Sequence, residues 1–127
     1  MKNTKQILVI RKDLNMRKGK MIAQGSHASS LAIFQQGTFT EDSFILKKDN
    51  RFWYWLTNNF KKIVVSVNSE AELLEYYELA KSKNILCSLI KDSGLTEFKG
   101  VPTYTAVAIG PDLDNVVDEI TKSLPLL

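Results

Sequence analysis

Four short apolar runs, each rich in β-branched residues, alternate along the chain with segments of helical character. Continuous apolar runs of this length are typical of strands buried on both faces of a sheet. Strands that alternate with helices favour an α/β sheet covered by helices on both sides. With 127 residues, no linker and no internal repeat, the chain is expected to form one domain, residues 1–127. The predicted strands are residues 6–11, 62–67, 85–90 and 103–109.

Helices are predicted in the intervening segments. The longest helix is predicted at residues 18–36. Its apolar residues lie on several sides, which indicates that more than one neighbouring element packs against it. Residue 68 or 69 is expected to cap a second helix, and residues 40–43 offer the chemistry of a helix start. A chain break at residues 110–112 is expected to precede a final helix near residues 113–122.

The basic residues are clustered, although the net charge is only +3. Such clusters can follow the phosphate backbone of a nucleic acid, but they are also common on solvated surfaces, and both interpretations remain open here. The clusters are Arg11, Lys12, Arg17, Lys18 and Lys20; Lys47, Lys48 and Arg51; and Lys61 and Lys62.

The single cysteine, Cys87, lies inside an apolar run and is predicted to be a buried hydrophobic residue, not a nucleophile. One cysteine forms no intramolecular disulfide, which favours a reducing compartment. The first six residues lack the apolar core of a signal peptide, and no apolar stretch approaches the roughly 18 residues of a membrane-spanning helix. We therefore expect a cytoplasmic protein that does not bind membranes. The chain has one histidine and one cysteine, which lie far apart in the sequence, so we predict no metal site.

Residues 50–60 are dense in aromatic side chains. Exposed rings of this kind can stack on nucleic-acid bases. The alternative, which we favour, is that Trp53 and Trp55 cover the core or a subunit contact.

Polar side chains collect on one side of the first predicted helix. At 100° per residue, Lys20, Gln24 and the only histidine, His27, lie within about 60° of one another. A cation, an amide and an imidazole that point the same way can form a site, although a solvated helix face is the simpler interpretation. The surrounding residues are small, which suits close approach to a sheet or a ligand. They are Ala23, Gly25, Ser26, Ala28, Ser29 and Ser30.

Two separated motifs coincide with a distinctive C-terminal segment. The first motif comprises Arg11, Asp13-Leu14, Met16, Lys18-Gly19-Lys20, Ala23-Gln24 and His27-Ala28; the second comprises Asp92, Gly94, Thr96, Thr103, Thr105 and Ile109-Gly110-Pro111; and the C-terminal segment comprises Val117-Asp118, Thr121, Leu124 and Leu126-Leu127. Together they resemble the peptidyl-tRNA hydrolase 2 family over nearly the whole chain apart from about residues 35–60. The resemblance implies a three-layer α/β/α fold on a mixed four-stranded sheet, commonly dimeric. It also implies hydrolysis, without a metal or other cofactor, of the ester that links a peptide to the 3′ end of tRNA.

The same resemblance implies which side chains form the site. Asp92 would orient the water or hold His27 in one tautomer, and Lys20 would stabilise the oxyanion or bind a phosphate. Thr96 would donate a hydrogen bond to a carbonyl or ribose. The alternatives are a side-chain-capped turn at Asp92 and a structural Lys20–Asp92 ion pair. The predicted catalytic residues are Lys20, His27, Asp92 and Thr96, and the predicted substrate-binding residues are Gln24, Thr103, Thr105, Arg17 and Lys18.

The sequence departs from the family pattern at two points. Glu97 stands where the family usually has glutamine, and the loop at residues 98–103 is one residue longer. Two other functions therefore remain open. One is a tRNA-binding relative with weak or no turnover, and the other is a protein-binding scaffold that uses Trp53 and Trp55.

Overall fold

The computed structural model describes residues 3–95 and 97–127. The four predicted strands are present in the predicted order, and two further short strands and a helix lie between residues 38 and 57. In chain order the helices and strands are β1 (Thr4–Arg11), α1 (Lys18–Phe34), β2 (Thr38–Phe39), β3 (Phe44–Ile45), α2 (Asn50–Thr57), β4 (Lys62–Val67), α3 (Glu70–Ser82), β5 (Cys87–Asp92), β6 (Thr103–Leu113) and α4 (Asp114–Thr121).

The main sheet is mixed and has the strand order β4-β1-β6-β5. β1 runs parallel to β4 and antiparallel to β6, and β6 runs antiparallel to β5. Alternate residues of each strand point to opposite faces, so Ile7 and Val9 pack under α3 and α4 while Leu8 and Ile10 pack under α1. This arrangement confirms the predicted three-layer α/β/α fold on a four-stranded sheet.

The predicted chain break at residues 110–112 is wrong. β6 continues through these residues, and Asp112 and Leu113 pair with Lys5 and Thr4 of β1. The pairing register shifts between Lys5 and Ile7 of β1, because β6 has one more residue than β1 at this point. Such a bulge bends a strand without ending it.

The predicted helix start at residues 40–43 is also wrong, because these residues form the turn of a small β2–β3 hairpin. The Thr40 hydroxyl accepts a hydrogen bond from the Ser43 amide at 3.1 Å, and the Thr40 amide donates to the Ser43 carbonyl at 2.8 Å. Threonine makes the same local bond in turns and at helix N-termini. The next helix, α2, begins later and is capped by Asp49, which accepts from the Arg51 amide at 2.8 Å.

The aromatic segment divides into a buried and an exposed part. Trp55 is 3% exposed, and its indole donates to the Lys61 carbonyl at 2.7 Å. Trp53 is 38% exposed, with the Lys48 ammonium 4.9 Å from its ring centre. The prediction that these rings cover the core is therefore confirmed for Trp55.

Cys87 is buried in the core on the α3 side of the sheet, as predicted, and burial raises the pKa of its thiol. Within residues 3–95 and 97–127, no helix combines the length and the apolarity needed to cross a bilayer.

Candidate active site

A partly buried ion pair lies where α1 crosses the end of β5. The Lys20 Nζ atom donates to Asp92 Oδ1 at 2.8 Å, and each side chain is 14% exposed. The Gln24 side-chain amide donates to the same oxygen at 3.3 Å. The second carboxylate oxygen, Oδ2, accepts from the Gly94 amide at 2.8 Å.

These contacts determine the charge of Asp92. The hydrogen bond from Lys20 is the largest influence and lowers the pKa of the Asp92 carboxyl, and the Gly94 amide and Gln24 lower it further. Burial acts in the opposite direction but does not prevail. Asp92 is therefore an anion at neutral pH, held in one orientation by three donors.

A β-bulge in β6 supports this arrangement from below. Ile90 pairs with Ala106 and Lys91 pairs with Tyr104, so Thr105 is the extra residue between them. A bulge redirects a side chain, and Thr105 here turns towards α1, where its hydroxyl donates to Gln24 Oε1. That bond leaves the Gln24 amide nitrogen facing Asp92.

Gln24 and Thr105, both predicted to bind substrate, lie beneath the ion pair. They are 2% and 0% exposed, respectively. Their contacts place them as supports that orient Asp92.

His27 lies one turn beyond Gln24 on α1, and its side chain is exposed. It lines a shallow pocket with Leu31, Phe34 and Ile90. Among the described residues, Asp92 has Lys20, Gln24 and Gly94 as its hydrogen-bond donors, so the carboxylate does not hold the imidazole in this structure. Thr96 lies outside the described residues.

The remaining predicted residues surround the start of α1 and the loop after β5. Thr103 pairs with Asp92 across the sheet, and its hydroxyl donates to the Val101 carbonyl at 2.8 Å. Lys18 is exposed on the first turn of α1. The Arg17 guanidinium is 3.5 Å from Glu97 Oε1, and the Arg17 amide donates to Glu97 Oε2 at 3.4 Å. Glu97 is therefore turned towards the N-terminus of α1, where the helix dipole favours an anion.

Sequence reasoning missed one contributor to the site. The Phe98 ring lies 5.6 Å from Lys20 Nζ, a distance that permits a cation–π contact. The bond from the Gly94 amide to Asp92 is the side-chain-capped turn that the sequence offered as an alternative, and Gly94 has a φ of 83°. The alternative of a Lys20–Asp92 ion pair is also present.

The arrangement suits hydrolysis by an oriented water. An ionised carboxylate can accept a proton from water, and an ammonium group beside it can stabilise a developing oxyanion. Among the described residues, no group of three His, Cys, Asp or Glu side chains is placed to hold a metal ion.

Comparison with known proteins gives matches over almost the full length. The family model described as peptidyl-tRNA hydrolase PTH2 matches residues 4–127. A protein of Methanocaldococcus jannaschii named peptidyl-tRNA hydrolase is 44% identical over 123 residues, which cover 97% of this chain and 99% of that protein. Proteins of the same name from Staphylothermus marinus and Methanothermobacter thermautotrophicus are each 42% identical over 123 residues. These matches cover 97% of this chain in both cases, and 94% and 99% of the two proteins, respectively.

Replacing Gly94 should disturb the site, whereas replacing Gly100 in the same loop should not. Both glycines have positive φ, so alanine at either position should cost about 1 kcal/mol of unfolding free energy. A Cβ atom at Gly94 would lie 2.2 Å from the Val101 carbonyl oxygen, but at Gly100 it would meet nothing within 4 Å. Urea unfolding should therefore show that Gly94→Ala destabilises by several times as much as Gly100→Ala. Equal losses would contradict the packing described here.

The stability contributed by the Asp92 carboxylate should disappear in acid. The folded-state pKa of Asp92 lies below its ordinary value of 3.8, so the ionised group stabilises the fold above about pH 4. This stabilisation is lost as the pH falls through the folded-state pKa. The unfolding free energies of the wild-type protein and Asp92→Asn, measured in urea from pH 7 downwards, should therefore converge below about pH 4. A difference that did not change with pH would contradict the ion pair.

Proposed function

The chain belongs to the peptidyl-tRNA hydrolase PTH2 family, and on that premise we propose that it hydrolyses the ester bond of peptidyl-tRNA, releasing free tRNA and peptide. The structural observation that supports this reaction most directly is the Lys20–Asp92 pair at the end of β5. Loops at the ends of a rigid sheet often hold functional groups, because the sheet fixes their positions.

Hydrolysis of an ester requires a water molecule, a group that accepts its proton and a donor for the oxyanion. Asp92 Oδ2 accepts from the Gly94 amide and has a second lone pair that can accept from the attacking water. Lys20 donates to the developing oxyanion from the other side of the carboxylate. His27 and Thr96 complete the proposed catalytic set, His27 by donating a proton to the leaving 3′ oxygen, which departs as a hydroxyl, and Thr96 by donating a hydrogen bond to a carbonyl or ribose.

The proposed partner is the acceptor end of tRNA. Lys18 and Arg17 lie at the start of α1, next to the catalytic pair, where they can contact phosphates. Thr103 lies beside Asp92 at the same edge of the site. Because peptidyl-tRNA forms during translation, the proposed place of action is the cytoplasm. With Cys87 as its single cysteine, the chain forms no internal disulfide, which fits a reducing compartment.

A relative that binds tRNA without hydrolysing it is the main alternative. Glu97 motivates it, because a carboxylate near the site repels phosphate. In the structure Glu97 pairs with Arg17, which partly neutralises both groups. We therefore favour turnover, and the kinetic experiment below separates the two functions.

The test of the proposed function is release of free tRNA from N-acetylated aminoacyl-tRNA by the purified protein. If Lys20 faces the oxyanion, Lys20→Ala should lower kcat by about 100-fold, as loss of one oxyanion donor does. Asp92→Asn and His27→Ala should also lower kcat. The Lys20→Ala/Asp92→Asn double variant should be little worse than the worse single one, because the pair acts as a unit.

The matched control is Lys91→Ala, which removes the cation next to Asp92 in sequence. Lys91 lies over the Tyr104 ring, 5.0 Å from its centre, so its removal should leave kcat unchanged. A rise in KM with a weaker salt dependence and normal kcat in Lys20→Ala would instead assign Lys20 to phosphate binding. Salt-sensitive tRNA binding without hydrolysis by the wild-type protein would contradict the proposed activity.

We further propose that the protein forms a homodimer. Support comes from an apolar cavity of about 670 Å³ on the side of α1 away from Asp92. Its lining includes Ile22, Phe60 and Leu127, which are 71%, 47% and 47% exposed. Apolar surface of this kind is typical of protein contacts.

Light scattering should therefore give a mass of twice 14.4 kDa. Ile22→Asp, which places a charge in this surface, should shift the protein towards the monomer. A wild-type mass of 14.4 kDa at micromolar concentration would contradict the dimer.

A further inference from the structure

The Lys20–Asp92 pair lies at a boundary of charge along α1. The N-terminal end of this helix is basic, with Arg17, Lys18 and Lys20 within four positions. Residues 21–36, by contrast, contain no lysine, arginine, aspartate or glutamate. The two directions along the helix from the site therefore offer very different surfaces.

The C-terminal part of α1, which lacks these charged residues, lines a groove that begins next to the ion pair. His27, Leu31 and Phe34 succeed Lys20 on the same side of α1, and Ile90 of β5 forms the facing wall. We call this surface the acyl groove; it also includes Ser26 and Ser30, and its volume is about 370 Å³. Leu31 is 37% exposed and Phe34 is 56% exposed, so apolar surface is open to a ligand.

The groove lies next to the site, although Lys20, Gln24 and Asp92 do not line it. Ile90 lies two residues before Asp92 on β5, and both side chains are on the α1 face of the sheet. Residues two apart on one strand face are about 7 Å apart, so Ile90 is the next side chain along β5 that an acyl group attached at Asp92 would meet. A substrate whose ester lies at Asp92 is thus within reach of the groove.

We propose that the acyl groove binds the side chain of the peptide residue that is esterified to the tRNA. The proposal rests on the proposed function. The two halves of that ester differ in charge, because one is a polyanion and the other is a peptide. The basic start of α1 matches the RNA half, and the uncharged groove matches the peptide half. The protein therefore prefers esters of bulky apolar amino acids.

An RNA base stacked on Phe34 is the competing occupant. That ring already packs against Phe44 in an edge-to-face pair, with ring centres 6.0 Å apart and planes at 81°. The groove also lacks the cations that usually accompany base-stacking rings. We therefore favour the acyl side chain, and binding of deacylated tRNA distinguishes the two occupants.

The experiment compares N-acetyl-leucyl and N-acetyl-glycyl esters of the same tRNA. For the wild-type protein, kcat/KM should be about ten-fold higher for the leucyl ester, the low end of what apolar contacts contribute to specificity. Leu31→Ser should reduce that ratio to about 1 through the KM of the leucyl ester. Phe34→Ser should also lower the leucyl-to-glycyl ratio. This variant replaces Leu31→Ser in the test if Leu31→Ser does not fold.

The matched control is Leu79→Ser on α3. Leu79 is 38% exposed, against 37% for Leu31, and lies outside both the site and the groove. The control should keep the wild-type leucyl-to-glycyl ratio.

Three results would overturn the proposal in distinguishable ways. Hydrolysis of both esters with a ratio that Leu31→Ser and Phe34→Ser do not change would contradict the groove alone. If Leu31→Ser and Phe34→Ser weaken the binding of deacylated tRNA as much as they weaken that of the leucyl ester, the groove would be assigned to RNA. Failure of the wild-type protein to hydrolyse either ester would remove the proposed function, and the groove proposal with it.

Discussion

A carboxylate withdrawn from water is stable in a protein only if donors replace the water that it loses. Asp92 meets this requirement with groups from separate parts of the chain. α1 supplies Lys20 and Gln24, and the loop after β5 supplies the Gly94 amide. Thr105 of β6 fixes the orientation of Gln24. The relative position of α1, β5 and β6 is therefore tied to the charge of one side chain, and a shift of any of them would leave that charge poorly paired.

The small residues of α1 make these short contacts possible. Gly25, Ala28 and Ala32 are buried against the sheet. A Cβ atom at Gly25 would already lie 3.5 Å from Leu8 Cδ1, which shows how closely the helix approaches β1. A helix with larger residues on this face would lie farther from the strands, and the Gln24 side chain would then be too short to reach both Thr105 and Asp92.

The sequence predicted the layers of the fold because β-branched runs and helical periodicity are local properties. It also predicted that Lys20 and Gln24 share a side of α1, since the angle per residue is fixed. A helical wheel does not reveal where the sheet lies, however, so the burial of Gln24 and the exposure of His27 were not foreseen. The role of Thr105 depends on a bulge set by register, and the course of β6 beyond Ile109 depends on its pairing with β1. The β1–β6 pairing joins residues about a hundred positions apart, and the bulge depends on which residues of β5 and β6 lie opposite each other, so neither leaves a local pattern in the sequence.

The position of β6 between β1 and β5 has a consequence for the order in which the protein can fold. α1 follows the first strand and Asp92 ends the third strand of the main sheet, but no direct pairing joins β1 to β5. α1 contacts β5 directly, since the Ser88 hydroxyl donates to the Ala28 carbonyl at 2.6 Å, but until β6 has been inserted the sheet beneath α1 does not join β1 to β5. Contacts this distant in sequence form late and slow the folding of a chain. The Lys20–Asp92 pair should thus be among the last features to form, and partly folded intermediates should lack it.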